Sequence, residues 1–181
     1  MTEAYREVEW ICPTKKSYLT PRRSECFWCA ASLTMSKLLQ TNGDDHPEAA
    51  VKHLDDATAL LAAGRHDGAA YLAGYVVECS LKTVILLDQG KATWTPGGGH
   101  DLNTLGAEAL RFASLPTART AKYMPVRTPS HPLYTGAGAW GVGLRYRAPG
   151  TIAVTTAQTW LDEARRVFSL TVVPMRLDGV I

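Results

Sequence analysis

The sequence lacks an apolar run long enough to cross a membrane. Its longest such runs, near residues 84–87 and 167–173, are far shorter than the ~20 residues that a spanning helix needs. It also lacks the basic start and apolar centre of a secretion signal, because Glu3, Arg6 and Glu7 lie close to its beginning. These two absences predict a cytoplasmic protein that makes no contact with a membrane.

Cysteine is scarce, and this limits the metal and redox chemistry open to the chain. Among four cysteines there is one CxxC pair, Cys26 and Cys29. A structural zinc site needs a second pair of ligands, and a redox pair of the thioredoxin kind follows a strand. The remaining candidates, Cys12 and His46, are irregularly spaced, and no strand pattern precedes Cys26. We therefore predict no metal site and no cofactor.

Acidic residues are absent from one long stretch, residues 109–161. Basic and aromatic side chains are interleaved there: Arg111, Phe112, Arg119, Lys122, Tyr123, Arg127, His131, Tyr134, Trp140, Arg145, Tyr146, Arg147 and Trp160. Such a mixture favours a ligand that carries phosphate and stackable bases. The same mixture would also balance the acidic first helices, within the chain or across a dimer, and the sequence leaves both interpretations open.

The dominant pattern is helical spacing of apolar residues from residue 47 onward. It predicts helices over residues 47–63, from about 67 to 90, over 102–113 and over 151–170, then a short extended tail at 171–174. Gly64 suits a helix C-terminus and Asp67 suits a cap of the second helix. On the last helix, Trp160 is expected to face the core and Glu163 to face water. No repeat and no convincing sheet is present.

These elements predict an all-α fold, an up-and-down bundle of four or five helices with a long loop before the last helix. Residues 115–150 form that loop, and a connection so long in a small helical domain commonly carries function. Residues 1–45 have weak periodicity and are assigned as an N-terminal arm of unknown role. Residues 46–181 are assigned as the helical domain.

The second helix has two different faces. One carries an apolar stripe: Ala73, Val76, Val77, Leu81, Val84 and Ile85. The adjoining face carries Tyr71, Gly74, Tyr75, Glu78 and Lys82, where a purely structural helix would carry solvated charges. Glu78 and Lys82 are in the favourable order for an ion pair four residues apart. This face is either a ligand-binding surface or two half-buried tyrosines beside an ordinary surface ion pair.

Three glycines, residues 97–99, lead into His100 and the start of the third helix. Backbone amides at such a start can bind an anion. The spacing fits neither a P-loop nor a dinucleotide-binding fingerprint. The glycine run is therefore only a weak phosphate signal, and His100 at its end is the residue of greater interest.

Four features in this order resemble the HEPN superfamily of small helical domains from higher eukaryotes and prokaryotes. They are the turn at residues 64–69, Glu78 with Lys82, the run His100-Asp101-Leu102, and Arg145-Tyr146 before the last helix. The resemblance covers about residues 47–170. It implies a helical bundle that commonly dimerises. It also implies one of two activities: metal-independent cleavage of RNA, or binding of nucleotides, alone or beside a minimal nucleotidyltransferase.

The chain departs from the nuclease pattern, in which an arginine precedes a histidine by five to seven positions. Its nearest approach is Arg127 before His131, which is one residue too close. The non-nuclease branch is therefore favoured, with a nucleotide or RNA as ligand. The expected ligand-binding residues are Tyr75, Glu78, Lys82, His100, Arg145 and Tyr146. Arg145 and Lys82 would contact phosphate, and Glu78 would orient them both. Tyr75 and Tyr146 would stack or donate hydrogen bonds, and His100 would lie at the rim.

Two alternatives remain from the sequence. A metal-independent endoribonuclease toxin would use His100 and Arg145 as catalytic residues. A purely structural subunit would supply only an interface, as half of a two-gene complex with a nucleotidyltransferase. The binding protein favoured above would itself belong to a toxin–antitoxin or defence pair with a minimal nucleotidyltransferase. A homodimer is expected in each case.

Overall fold

The computed structural model describes residues 35–89, 99–116, 118–125 and 130–181. Within these ranges the chain forms five α-helices: α1 His46–Ala62, α2 His66–Gln89, α3 Leu102–Ala113, α4 Val154–Leu170 and α5 Val172–Leu177. The long connection between α3 and α4 contains two 3-10 helices, Ala121–Tyr123 and Val142–Tyr146. No strand occurs in these ranges. The predicted all-α bundle with a long loop before the last long helix is confirmed.

Several sequence predictions fall on residues outside the described ranges. They concern Cys12, Cys26, Cys29, Arg127, the first two glycines of the run at 97–99, and most of the N-terminal arm. The unit that contains the helices comprises Met35–Ile181. Ser36 donates from its backbone N–H and its hydroxyl to the two carboxylate oxygens of Asp45, at 2.8 and 2.7 Å. Residues 35–45 are thereby part of the helical unit.

A short turn, residues 63–65, joins α1 to α2, and local signals fix both ends of α1. Asp45 caps its first turn by accepting from the backbone N–H of Glu48, and Pro47 lies in that turn. Gly64 has a φ of +72°, the left-handed conformation that ends a helix at low cost for glycine. The pair meets along Ala50 and Ala57 of α1, both fully buried.

Helix α2 lies at the centre of the fold and packs against α1, α3 and α4. Every residue from Val76 to Leu87 is buried, including the predicted apolar stripe. By length and composition α2 could cross a membrane, but 83% of its most apolar window is buried inside the protein. Burial by the other helices accounts for the apolar character of α2. Cys79 is buried here with the rest of this helix.

The C-terminal tail is helical, not extended as predicted. Helix α5 buries Val172 and Met175 against the core, and Pro174 lies within its first turn, where a missing N–H costs little. The apolar contact of these two residues with the core decides the local conformation. The sequence of residues 171–174 alone does not reveal that contact.

Asp67 was predicted to cap α2, and this is wrong. Helix α2 begins one residue earlier, and the Asp67 carboxylate accepts from the backbone N–H groups of Gly150 and Ile152, at 2.6 and 2.8 Å. These bonds, from Gly150 first and Ile152 second, hold the pKa of Asp67 below its ordinary value. Asp67 therefore joins the start of α2 to the approach to α4.

Glu163 was predicted to face water, and this is also wrong. It is buried, and it accepts from the Tyr134 hydroxyl at 2.8 Å and from Arg166 at 2.7 and 2.8 Å. Burial alone would raise the pKa of Glu163, but the hydrogen bonds from Arg166 and Tyr134 outweigh it and lower that pKa. The long loop closes over this part of α4, and so a position that is polar by helical spacing becomes interior.

Candidate functional site

Glu78 is the buried centre of the candidate site. Its side chain is 3% exposed, and Oε1 accepts from the Lys82 ammonium at 2.7 Å. The His100 Nδ1 lies 3.0 Å from Oε1 and 2.9 Å from Oε2. The pair with Lys82 is therefore not the ordinary surface ion pair that the sequence allowed. Removal of one partner would leave a charge in the interior, and this makes the cluster costly to disturb.

His100 lies at the surface end of this cluster, with 51% of its side chain exposed. It immediately precedes Asp101, which caps α3 by accepting from the backbone N–H groups of Asn103 and Thr104 at 3.1 Å each. The cap fixes the backbone next to His100, and Glu78 fixes its ring. His100 is thereby held between α2 and the start of α3.

Aromatic side chains adjoin the cluster on the same face of α2. The Tyr75 ring meets the His100 ring edge-on, with centroids 5.9 Å apart and planes at 82°. The Tyr71 and Tyr75 hydroxyls are 2.9 Å apart. Burial, and after it the bond with Tyr71, raises the pKa of Tyr75 well above its ordinary value, so that this phenol remains neutral. The two tyrosines form a hydrogen-bonded aromatic surface beside Glu78.

Trp140, on the long loop, packs directly on α2 at Gly74. Its indole N–H donates to the backbone carbonyl of Tyr71 at 2.8 Å. A Cβ at position 74 would lie 2.0 Å from the indole ring, so that only glycine permits this approach. Gly74 is thus a point of close approach between the long loop and α2.

Arg145 and Tyr146 come from the 3-10 helix that follows Trp140. The guanidinium lies 4.8 Å from the centroid of the Tyr146 ring, and Tyr146 is 77% exposed. Tyr146 first, and Tyr71 after it, hold the pKa of Arg145 above its ordinary value. Arg145 thus presents a positive charge at the surface, within electrostatic reach of the Tyr71 hydroxyl.

The structure brings the six predicted residues to one region, but it changes two of their roles. Glu78, Lys82, Tyr75 and His100 are in direct contact, as described above. Lys82 is 8% exposed with its ammonium on Glu78, and so it has little surface for a phosphate. Among the described residues Glu78 pairs with Lys82 and His100, so it is His100, and not Arg145, that Glu78 orients.

Three further residues were not predicted to line the site. His53 of α1 packs on Tyr75 with centroids 5.5 Å apart, and burial lowers the pKa of His53. Burial and then Lys82 lower the pKa of His46, which stays neutral. The spacing 46, 50, 53, 57 places both histidines on the buried stripe of α1 and could have indicated them. No comparable spacing in the sequence indicated that Trp140 would line the site.

The described residues offer no metal centre. No group of three or more potential ligands among them is arranged to hold a metal ion. Burial raises the pKa of Cys79 to about 12, and this thiol is therefore inert as a nucleophile or ligand. What this part of the chain can offer is a fixed imidazole, a surface guanidinium and aromatic faces.

Comparisons with known proteins give no match for this chain. No family model matches, and neither the curated proteins nor the solved structures include a significant relative. The function therefore has to be argued from the site.

Proposed function

We propose that this chain is a HEPN-like helical protein that binds a nucleotide or RNA at the face formed by Tyr75, Glu78, His100, Arg145 and Tyr146. It would act in the cytoplasm as a homodimer. In its cellular setting it would belong to a toxin–antitoxin or defence pair, with a minimal nucleotidyltransferase as partner.

One observation carries this proposal: a buried carboxylate holds an imidazole at the surface beside Tyr75, and an exposed arginine lies near Tyr71, the hydrogen-bond partner of Tyr75. A His100 side chain with only a structural role would not need to be 51% exposed. An Arg145 with only a structural role would not need to lie over an exposed tyrosine ring. Arginine binds phosphate through several donors, and exposed aromatic rings stack on bases at about 1–3 kcal/mol per base. The combination is typical of a site for a phosphate and the base attached to it.

The test is a fluorescence titration with labelled AMP, ATP and a short RNA at several salt concentrations. Binding is expected to weaken with salt, because a phosphate contact releases counterions. Arg145→Ala should weaken binding at least tenfold. Arg111→Ala is the matched control, since Arg111 also lies over a neighbouring ring, that of Phe112 at 4.2 Å. Absence of salt-dependent binding to all three ligands would contradict the proposal.

A second function, metal-independent cleavage of RNA, is favoured by the Glu78–His100 contact. A carboxylate that orients a histidine is the arrangement by which many enzymes hold a general base. His100 would move the proton of a 2′-hydroxyl, and Arg145 would stabilise the charge that develops on phosphorus oxygens. This function predicts RNA cleavage in EDTA that His100→Ala and Arg145→Ala each abolish. Intact RNA after incubation with the wild type would exclude it.

A purely structural subunit is the third possibility. It predicts that the protein co-purifies with a nucleotidyltransferase and binds no ligand in the titration. In that case Arg145→Ala and Arg111→Ala would leave every measured property unchanged.

A further inference from the structure

His53 of α1 lies on the Tyr75 ring in an orientation that differs from that of the other aromatic neighbours. The two ring centroids are 5.5 Å apart, and the ring planes are tilted by 37°. The rings of Tyr71, His100 and Trp140 all meet that of Tyr75 nearly edge-on, with planes at 82–86°. Among the described residues His53 is therefore the neighbour closest to parallel with the phenol, which is the position that a stacked base would take.

One nitrogen of the His53 ring is held in a position that suits only the neutral imidazole. The side chain is half-buried, and its Nδ1 is buried with no hydrogen-bond partner in the described part of the chain. A neutral imidazole bears one hydrogen, whereas a protonated one bears a hydrogen on each nitrogen. Protonation would leave a charged donor unpaired in the interior. This costs more free energy than the attraction between an imidazolium and a tyrosine ring contributes.

The charged groups around His53 offer a protonated ring a partner outside its present position. The groups that face it are Lys52 and Asp56 of α1 and Tyr75 and Glu78 of α2, while Arg165 of α4 contacts α1 five residues further along, at Thr58. The Glu78 carboxylate is already paired with Lys82 and His100. Asp56 is exposed and follows His53 by three residues, a spacing at which helical side chains are neighbours. A protonated His53 would therefore turn outward, to Asp56 and water.

We infer that His53 is a pH-dependent cover of Tyr75: the neutral imidazole occupies the stacking position, and its protonation uncovers the tyrosine ring for a base. The inference rests on the proposed function in its last step, the stacking of a base. Burial, and after it Lys52, lowers the pKa of His53 in the folded protein. Its unfolded value is about 6.5, so the covered form is present at neutral pH and is lost as pH falls through the lowered pKa.

The cover is tested without a ligand by NMR, through the nuclear Overhauser effect between the His53 and Tyr75 rings. We expect this ring contact at about pH 7.5 and its loss at about pH 5, since these values lie on either side of the ordinary pKa of histidine. Asp56→Asn removes the outer acceptor and should shift the loss to lower pH. Asp55→Asn is the matched control. Asp55 is also exposed on α1, but residues two apart do not face each other, so this variant should lose the contact at the wild-type pH.

The uncovered ring is tested by titration with a short oligouridylate without terminal phosphates, which has no group that titrates between these two pH values. His53→Ala removes the cover. At the higher pH it should bind at least about fivefold more tightly than the wild type, the lower end of what one stacked base contributes. His53→Phe keeps a ring on Tyr75 that cannot be protonated. It should gain less affinity than the wild type on acidification, and the gain that remains in it comes from other histidines. Circular dichroism would verify that both variants are folded.

The outcomes distinguish the inference from the proposed function. A ring contact between His53 and Tyr75 that persists at the lower pH overturns the inference. If oligouridylate binds with equal affinity to the wild type and to His53→Ala at the higher pH, the inference is also overturned and RNA binding stands. If the ring contact is lost as expected but neither the wild type nor a variant binds the RNA or a nucleotide, the cover stands and the proposed function fails.

Discussion

Replacement of Gly74 by alanine tests whether the contact between the long loop and α2 holds the site together. The added Cβ would lie 2.0 Å from Trp140 Cε2 and 2.1 Å from its Nε1, distances that real Cβ atoms do not show. The indole is a rigid ring packed against Tyr75, with ring centroids 5.2 Å apart. The conflict therefore cannot be relieved by rotation of a flexible side-chain end. Trp140 must move as a whole, and its bond to the Tyr71 carbonyl must break.

The expected change in the free energy of unfolding is the sum of two costs and one gain. Overpacking costs about 1–3 kcal/mol. The lost indole hydrogen bond adds about 1 kcal/mol. Alanine gains about 1 kcal/mol over glycine in a helix interior. The net loss of unfolding free energy is therefore about 1–3 kcal/mol. For a chain of this size each kcal/mol lowers Tm by about 2–4 °C.

The assay is urea unfolding followed by circular dichroism, with Gly143→Ala as control. A Cβ at position 143, in the same loop, meets nothing within 4 Å, and that variant should stay within about 0.5 kcal/mol of the wild type. A double-mutant cycle sharpens the test. In a Trp140→Ala background the steric conflict is gone, so Gly74→Ala should become stabilising, by up to about 1 kcal/mol through helix propensity.

Two results would refute this reasoning. One is a Gly74→Ala protein as stable as the wild type. The other is the same destabilisation with and without Trp140, which would mean that something other than the indole resists the methyl group. If the reasoning holds, Gly74→Ala should also weaken nucleotide binding, because Arg145 and Tyr146 follow Trp140 along the loop.

Two further predictions concern buried and bridging carboxylates. Lys82→Met leaves the Glu78 carboxylate buried without its ammonium partner, and we expect a loss of about 3 kcal/mol in urea unfolding; adding Glu78→Gln should recover most of it, and an unchanged single variant would contradict the interior pairing. Asp67 has a depressed pKa in the folded state, so its contribution to stability is present above its unfolded pKa, about 3.9, and is lost as pH falls through its folded pKa. The stability difference between wild type and Asp67→Asn should therefore shrink below about pH 4, and a difference that is constant across acidic pH would rule out the bonds to Gly150 and Ile152 as its source.

The helices could be predicted because their signals are local. Apolar spacing, the glycine at position 64 and the cap at Asp101 act within a few residues of the helix that they define. The same holds for the predicted pairing of Glu78 with Lys82, since residues four apart are neighbours on any helix. These features depend on backbone geometry that the chain carries with it wherever it packs.

Two of the errors arose where the long loop returns to the helices. Glu163 is polar by helical spacing, yet Tyr134 and Arg166 enclose it. Asp67 is placed to cap a helix, yet its carboxylate bonds a segment more than eighty residues away, at Ile152. In both cases a group distant in the sequence donates a hydrogen bond to the carboxylate. The spacing of nearby residues does not reveal that donor.

The sequence by itself determined the helical bundle, the bounds of its main helices to within a few residues, and the polar face of α2. Only the tertiary structure decided which side chain the Glu78 carboxylate orients. A carboxylate has two oxygens and bonds whatever donors the fold brings near. Lys82 lies on the same helix as Glu78. His100 and Arg145 lie outside that helix, and by sequence either could have been the second partner of Glu78. The packing of α3 on α2 places His100 against Glu78. The packing of Trp140 on Gly74 places Arg145 near Tyr71 instead.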